Sequence, residues 1–388
     1  VAPSPPIALV AADGNPTRGA RLTRELECNR CHEGTGHPAP RLEKNCTGCH
    51  SEILRGKLDA DPEELERWQT RIEHFVTLPA LGPVRDKLRS SWVARFLLEP
   101  HDLRPGLDET MPRLQLTPED ARDIASSIAP HDAAASEKPA GNAEHGRKLL
   151  DEKGCGTCHR MSGVPPLRAS ALPVRLDDAR LAKAIRLAPD LALSRERLLP
   201  GYFERWLARP SAVDPAALMP DIPLSKAEAR DIAAYVLGVP LAAEAGKPAA
   251  AQPFQRLPLL ARPVRFDEVK ERVLRRTCWH CHADPEYAIG DGGPGNTGGF
   301  GFPAKGINLA DHESVLAGFL DEQGARKSLF DPDASGRENR LVRALLARHA
   351  EEAGKPVPGV RGMPLALPAL KAEEIQLVES WIAQGRPL

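Results

Sequence analysis

The sequence predicts an all-α protein made of three tandem helical domains. Three observations predict it. A short amphipathic segment recurs ahead of a Cys-x-x-Cys-His motif, a Met-Pro dipeptide recurs ahead of a second helical segment, and strand signals are weak throughout. The length of 388 residues accommodates this, at about 100–200 residues per domain.

The entry segments come first. Gly19-Ala-Arg-Leu-Thr-Arg-Glu-Leu-Glu leads into Cys28, and Gly146-Arg-Lys-Leu-Leu-Asp-Glu-Lys-Gly leads into Cys155. Each places Gly nine residues before the first Cys and a leucine, Leu22 or Leu149, three residues after that Gly. This spacing predicts a short amphipathic helix running into the Cys turn. The stretch from Phe266 to Thr277 before Cys278 has the same character. The exit segments follow. Met111-Pro-Arg-Leu-Gln-Leu-Thr-Pro-Glu-Asp-Ala-Arg-Asp-Ile-Ala aligns without gaps to Met219-Pro-Asp-Ile-Pro-Leu-Ser-Lys-Ala-Glu-Ala-Arg-Asp-Ile-Ala. Thr117 and Ser225 are placed as N-caps, with acidic residues in the following turn. A third copy starts at Met363-Pro with two extra residues before its helix. Between entry and exit, Trp92-Val-Ala-Arg-Phe-Leu-Leu-Glu-Pro matches Tyr202-Phe-Glu-Arg-Trp-Leu-Ala-Arg-Pro, two helices closed by Pro100 and Pro210. Small, polar or Ala/Pro-rich linkers at 130–142 and 239–263 separate the copies.

Bulk properties narrow the class. Apolar residues at 41% and charged residues at 27% mark a globular chain. Aromatics at 4% are few for large cores, so another apolar body is expected inside. The formal charge of −1 lacks the basic excess of a nucleic-acid binder. No run of about 18 or more apolar residues appears, so no membrane span is expected. The start at Val1, without an initiator Met, reads as a mature N-terminus left by signal-peptide removal.

The cysteines carry the chemistry. All eight fall in four motifs: Cys28-Asn-Arg-Cys31-His32, Cys46-Thr-Gly-Cys49-His50, Cys155-Gly-Thr-Cys158-His159 and Cys278-Trp-His-Cys281-His282. C-x-x-C-H is the attachment motif for c-type haem. Two thiols three residues apart on one turn can each bond a vinyl group of one porphyrin, and the adjacent imidazole then meets the iron from one face. A redox dithiol needs no trailing His. A zinc ribbon fits Cys28/Cys31 with Cys46/Cys49 taken alone, but not the two motifs that stand apart. No cysteine is left over for a disulfide or a distal ligand. Four covalently attached haems are therefore expected, bound by Cys28, Cys31, Cys46, Cys49, Cys155, Cys158, Cys278 and Cys281, with His32, His50, His159 and His282 on the irons.

The arrangement resembles three tandem class I cytochrome c domains. That family's pattern is an N-terminal helix, C-x-x-C-H, a loop-rich middle, a Met as second iron ligand and a C-terminal helix packed across the first. The resemblance divides the chain into a dihaem cytochrome c-like domain at 1–130, a monohaem cytochrome c domain at 143–238 and a monohaem cytochrome c-like domain at 264–388. These would be helical domains packed around covalently bound haems. The middle copy fits best, the first carries the extra Cys46 motif in an insertion, and the third departs most, with a glycine-rich loop from Gly290 to Gly301. The resemblance implies Met111, Met219 and Met363 as distal ligands for the haems of His32, His159 and His282. Met161, two residues after His159, is assigned to packing. The His50 haem then lacks a methionine. His74, on the helical stretch that starts at Pro62, is the expected partner, with His37 and His101 as rivals. His280 is expected to face solvent.

Iron closed by two protein ligands exchanges electrons with little rearrangement and opens no site to substrate. The expectation is an electron-transfer protein rather than an enzyme, working between donor and acceptor proteins in a periplasmic or extracellular space. Four settings remain open. They are a subunit of a respiratory or photosynthetic complex, a dehydrogenase-associated subunit, an enzyme of the dihaem-peroxidase kind using an open His50 haem, and a self-assembling extracellular filament. Met/His ligation sets a higher potential than bis-His ligation, so the His50 haem should be the hardest to reduce.

Overall fold

The computed structural model describes residues 14–72, 78–104, 111–132, 140–242, 254–284, 293–332, 336, 338–365 and 367–388. His74, residues 133–139 and 243–253 of the two linkers, and Gly290 lie outside the described residues. The chain is mainly helical. Among the described residues the only strands are Phe319–Leu320 and Arg326–Lys327, an antiparallel hairpin with Phe319 opposite Lys327. The chain divides into two compact units, one of residues 1–22, 81–108 and 116–249, the other of residues 23–80, 109–115 and 250–388.

In the first unit, entry and exit helices cross at glycine. The helix Ala143–Glu152 lies against Lys226–Gly238, and Gly146 is the point of closest approach. A Cβ there would stand 2.0 Å from the Asp231 carbonyl oxygen. Gly19, in the helix Pro16–Glu25, meets Asp123 of the helix Pro118–Ile128 in the same way, at 1.9 Å. The two repeated glycines of the sequence are thus the contact points of two equivalent crossings. The apolar faces behind them hold Leu149, Leu150, Ile232 and Val236 in one copy and Ala121, Ile124 and Ala125 in the other, all buried. Both predicted N-caps form capping boxes. Thr117 pairs with Asp120, and Ser225 with Glu228.

The middle helices also repeat. Ser90–Leu98 ends at Glu99 before Pro100, and Pro200–Ala208 ends at Arg209 before Pro210. Trp92 stacks on Phe96 at 4.8 Å, and Tyr202 on Trp206 at 6.1 Å. The segments just ahead of these helices pair with each other. Arg89 donates its N–H to the Arg197 carbonyl at 2.9 Å, and Leu199 donates to the Lys87 carbonyl at 2.9 Å. Leu88 and Leu198 are the bridge between them. Residues at equivalent repeat positions therefore bond reciprocally, as across a local two-fold axis.

The second unit has a core of Val264, Phe266, Val269, Val273, Ile375, Val378 and Trp381 with their neighbours. Its entry helix is one α turn, Phe266–Val269, that continues π-wound through Lys270–Cys278. The wide turn brings Val269, Val273 and Leu274 to the buried side. The exit helix Ala372–Ala383 holds the chain before Phe266 through Ser380 Oγ, which accepts from Leu260 N–H, and through Gln384, which accepts from Val264 N–H. The insertion contributes the helices Cys46–Leu54 and Pro62–Ile72, joined where Gln69 donates to the Ile53 carbonyl at 2.8 Å.

Candidate functional site

The four C-x-x-C-H motifs adopt two local forms. Cys28–Arg30 and Cys155–Thr157 are single 3₁₀ turns. In both, the His amide donates to the first Cys carbonyl at 2.9 Å, which closes the turn at the His backbone. Both turns follow a left-handed residue, Gly154 at φ 74° and Glu27 at φ 52°. Glycine takes that conformation without strain, whereas Glu27 is held there by its ion pair with buried Arg30 and by accepting the Phe300 amide. The other two motifs are helical, with Cys278 closing the π-wound stretch. Cys46 opens the helix Cys46–Leu54, whose cap Asn45 accepts from Gly48 N–H, and His282 ends the short helix Trp279–His282.

The imidazoles that follow these cysteines are half-buried. His32 Nδ1 donates to the Pro79 carbonyl at 2.8 Å, and His159 Nδ1 to the Pro189 carbonyl at 2.9 Å. A donor at Nδ1 fixes the tautomer and leaves the Nε2 lone pair for a metal. Burial pushes His32 and His159 below the ordinary imidazole value, against a smaller upward pull from those carbonyls. Burial pushes His282 down to about 4, against a smaller opposing effect from the Ile307 backbone. All three are therefore neutral at pH 7, the state that binds metal. His282 lies against Gly295, where a Cβ would stand 1.7 Å from its Cε1. The glycine-rich stretch, read from sequence as a loop, supplies here a turn, Gly293–Asn296, that cradles this ring.

The eight cysteines are half-buried and none is in a disulfide. Burial raises the thiols of Cys28 and Cys155 to about 11 and of Cys278 to about 12, and also raises Cys49 and Cys158. A redox dithiol instead needs a thiolate near neutral pH. Cys31 is pushed down by a hydrogen bond with Cys46, so the first two motifs adjoin at these sulfurs. Among the described residues no three His, Cys, Asp or Glu side chains are grouped as a metal-ion site.

The second unit carries the motifs of His32, His50 and His282, and the first unit carries that of His159. Met219 lies in the first unit, half-buried, and its Sδ accepts the Trp206 Nε1–H at 3.1 Å. Met161 is 4% exposed, in keeping with packing. Met111 and Met363 are half-buried in the second unit. The Met363 loop is fixed from below by the helix Arg340–Glu352. Met363 N–H donates to Ala344 at 2.9 Å, Gly362 N–H donates to Glu351 at 2.8 Å, and Glu351 pairs with Arg348 in a buried ion pair.

Of the histidines weighed for the His50 site, His74 is outside the described residues. His37 approaches Thr23 Oγ1 at 3.4 Å, and His101 bonds the Glu99 carbonyl at 3.0 Å. His145, His312 and His349 are engaged by Asp231, the Arg386 carbonyl and the Leu370 carbonyl. His280 is exposed, as expected from sequence, but its ring also stands 6.5 Å from that of His50. Sequence reasoning missed that pair, as it missed Pro79 and Pro189. A signal for the prolines exists: Pro79-Ala-Leu81 and Pro189-Asp-Leu191 stand at matching places ahead of the paired segments.

Comparison with protein-family models, with curated proteins and with solved structures finds no match for this chain.

Proposed function

We propose that this protein is a tetrahaem c-type cytochrome that passes electrons between redox partners outside the cytoplasm, as three cytochrome c-like segments at 1–130, 143–238 and 264–388. The observation that carries the reading is the repeated motif geometry. Paired thiols sit on one turn, and the next residue offers an imidazole held neutral by burial and, at His32 and His159, oriented through Nδ1 by a proline carbonyl. That donor set fits haem, which bonds two thiols and takes a neutral imidazole on its iron, better than it fits a dithiol or a zinc site.

Haem supplies an iron that accepts and returns one electron. The chain's own part is mounting and exclusion. Cys155 and Cys158 would bond one porphyrin and His159 would bind its iron. Trp206 holds the Met219 sulfur through one lone pair and leaves the second for a metal. The buried Arg348–Glu351 pair plays a comparable role for the Met363 loop. Met111, Met219 and Met363 would hold the irons of His32, His159 and His282 together with those imidazoles, a donor set that suits a relay better than peroxidase chemistry. No helix among the described residues is long and apolar enough to cross a membrane. The proposed setting is periplasmic or extracellular, with donor and acceptor proteins as partners and a place in a larger complex as one form of that partnership.

The test is the intact mass in denaturant of protein matured by a cytochrome c assembly system. It should exceed the polypeptide mass by four haem units. A protein that stays apo, or gains three or fewer, refutes the reading as stated.

A further inference from the structure

We propose that His280 is the distal iron ligand of the haem carried by Cys46 and Cys49, opposite His50. The proposal rests on the tetrahaem reading and adds to it a site that spans two motifs.

The carrying observation is a distance. The His50 and His280 ring centroids stand 6.5 Å apart, with planes inclined by 38°. Two metal–nitrogen bonds of ~2.0–2.1 Å, plus ~1.1 Å from nitrogen to ring centre on each side, give about 6.3 Å for two imidazoles on one metal. Directly packed ring pairs in this chain span shorter separations, up to 6.1 Å for His312 with Trp381 and Tyr202 with Trp206. His349 lies 4.0 Å from Phe254, His312 5.1 Å from Phe266 and His101 5.5 Å from Phe96. The inclination agrees with shared ligation, because each ring plane need only contain the common axis.

The two mounts are tied to each other. His50 rides on the capped helix Cys46–Leu54. Gln69 ties Ile53 of that helix to the helix Pro62–Ile72 at 2.8 Å. Glu64 of the latter pairs with Arg275 at 3.0 Å, and the Arg275 guanidinium lies over the Trp279 ring at 5.9 Å. Trp279 is buried and donates to the Leu309 carbonyl at 2.8 Å, which pins the turn that carries His280. The insertion and the third segment are thus joined through a short chain of contacts that sets the spacing between the rings.

Ligand supply agrees. Met111, Met219 and Met363 are assigned to other sites, and Met161 is buried in packing. His280 lies between Cys278 and Cys281, so one turn would serve two haems, with a peptide bond separating a ligand of one from an attachment point of the other.

The experiment uses the full matured chain. Near-infrared magnetic circular dichroism of the oxidised protein should show one bis-imidazole site among the four haems. His280→Ala should keep four haems by mass and convert one of them from low spin to high spin at neutral pH by EPR, with added imidazole restoring low spin. His280→Met, which keeps a ligand at that position, should stay low-spin and raise the potential of that haem. His74→Ala should leave every signal unchanged. Four haems with no bis-imidazole site, an unaltered spectrum in His280→Ala, or a high-spin haem in His74→Ala each overturns the pairing alone. A protein without haem overturns the tetrahaem reading and the pairing with it.

Discussion

Gly146→Ala tests the helix crossing on which the first unit is built. The added Cβ would stand 2.0 Å from the Asp231 carbonyl oxygen and 2.5 Å from its carbon, where ordinary contact begins at 3.4 Å. The helices must therefore part by more than an ångström, because the obstacle is backbone and cannot swing aside. Overpacking of this kind costs ~1–3 kcal/mol, and a clash with backbone belongs at the upper end. Replacing a helical glycine by alanine returns about 1 kcal/mol of propensity. The net is a loss of about 2 kcal/mol. With a urea slope of ~1–3 kcal/mol/M, the midpoint should fall by about 1 M with the slope unchanged. Gly19→Ala should behave alike, since its Cβ meets the Asp123 carbonyl at 1.9 Å. Gly201→Ala is the control. Its nearest neighbour is the flexible end of Arg205 at 3.7 Å, so it should be neutral or slightly stabilising. A Gly146→Ala midpoint equal to that of the parent chain would refute the crossing.

Two further outcomes follow from single side chains. Trp206→Phe removes the N–H that withdraws density from the Met219 sulfur, so the haem proposed at His159 should fall in potential with all four haems retained. Redox titration reads this, and an unchanged potential counts against Met219 as ligand. Glu228 is held down at about 2 by the Ser225 backbone N–H and by Lys153. Its folded value lies below its ordinary 4.5, so its stabilisation is present above about pH 4.5 and is lost as pH falls from there to about 2. Glu228→Gln should flatten that part of the acid limb in a denaturation series, and an identical limb in both proteins would remove the cap from the account.

Local pattern was legible in the sequence where one residue type answers one steric or hydrogen-bonding need. Gly19 and Gly146 announce close approach, Thr117 and Ser225 announce caps, and Pro100 and Pro210 announce helix ends. The mainly helical class follows from those signals. What was not legible is pairing over long separations. The approach of His280 to His50 spans 230 residues and leaves no periodicity in either segment. The His280 motif residue was read for exposure, which the structure agrees with, but exposure carries no information about a neighbouring ring. The π winding of Lys270–Cys278 was equally hidden, because the same apolar residues suit an α-helix with a small shift of face.

The bridge at Leu88 and Leu198, closed by the reciprocal bonds of their neighbours, has a kinetic side. Its partners are 110 positions apart, so the Lys87 carbonyl and the Arg89 amide stay open until residues 197–199 have been made and delivered. Closing a loop of that length costs entropy before any contact rewards it, and contacts of this kind slow folding. The first helical copy can therefore nucleate early, through its own crossing at Gly19, yet it keeps an unsatisfied edge while the second is still emerging. A chain stopped short of Arg197 would carry that edge permanently and would find its substitute partner in another chain.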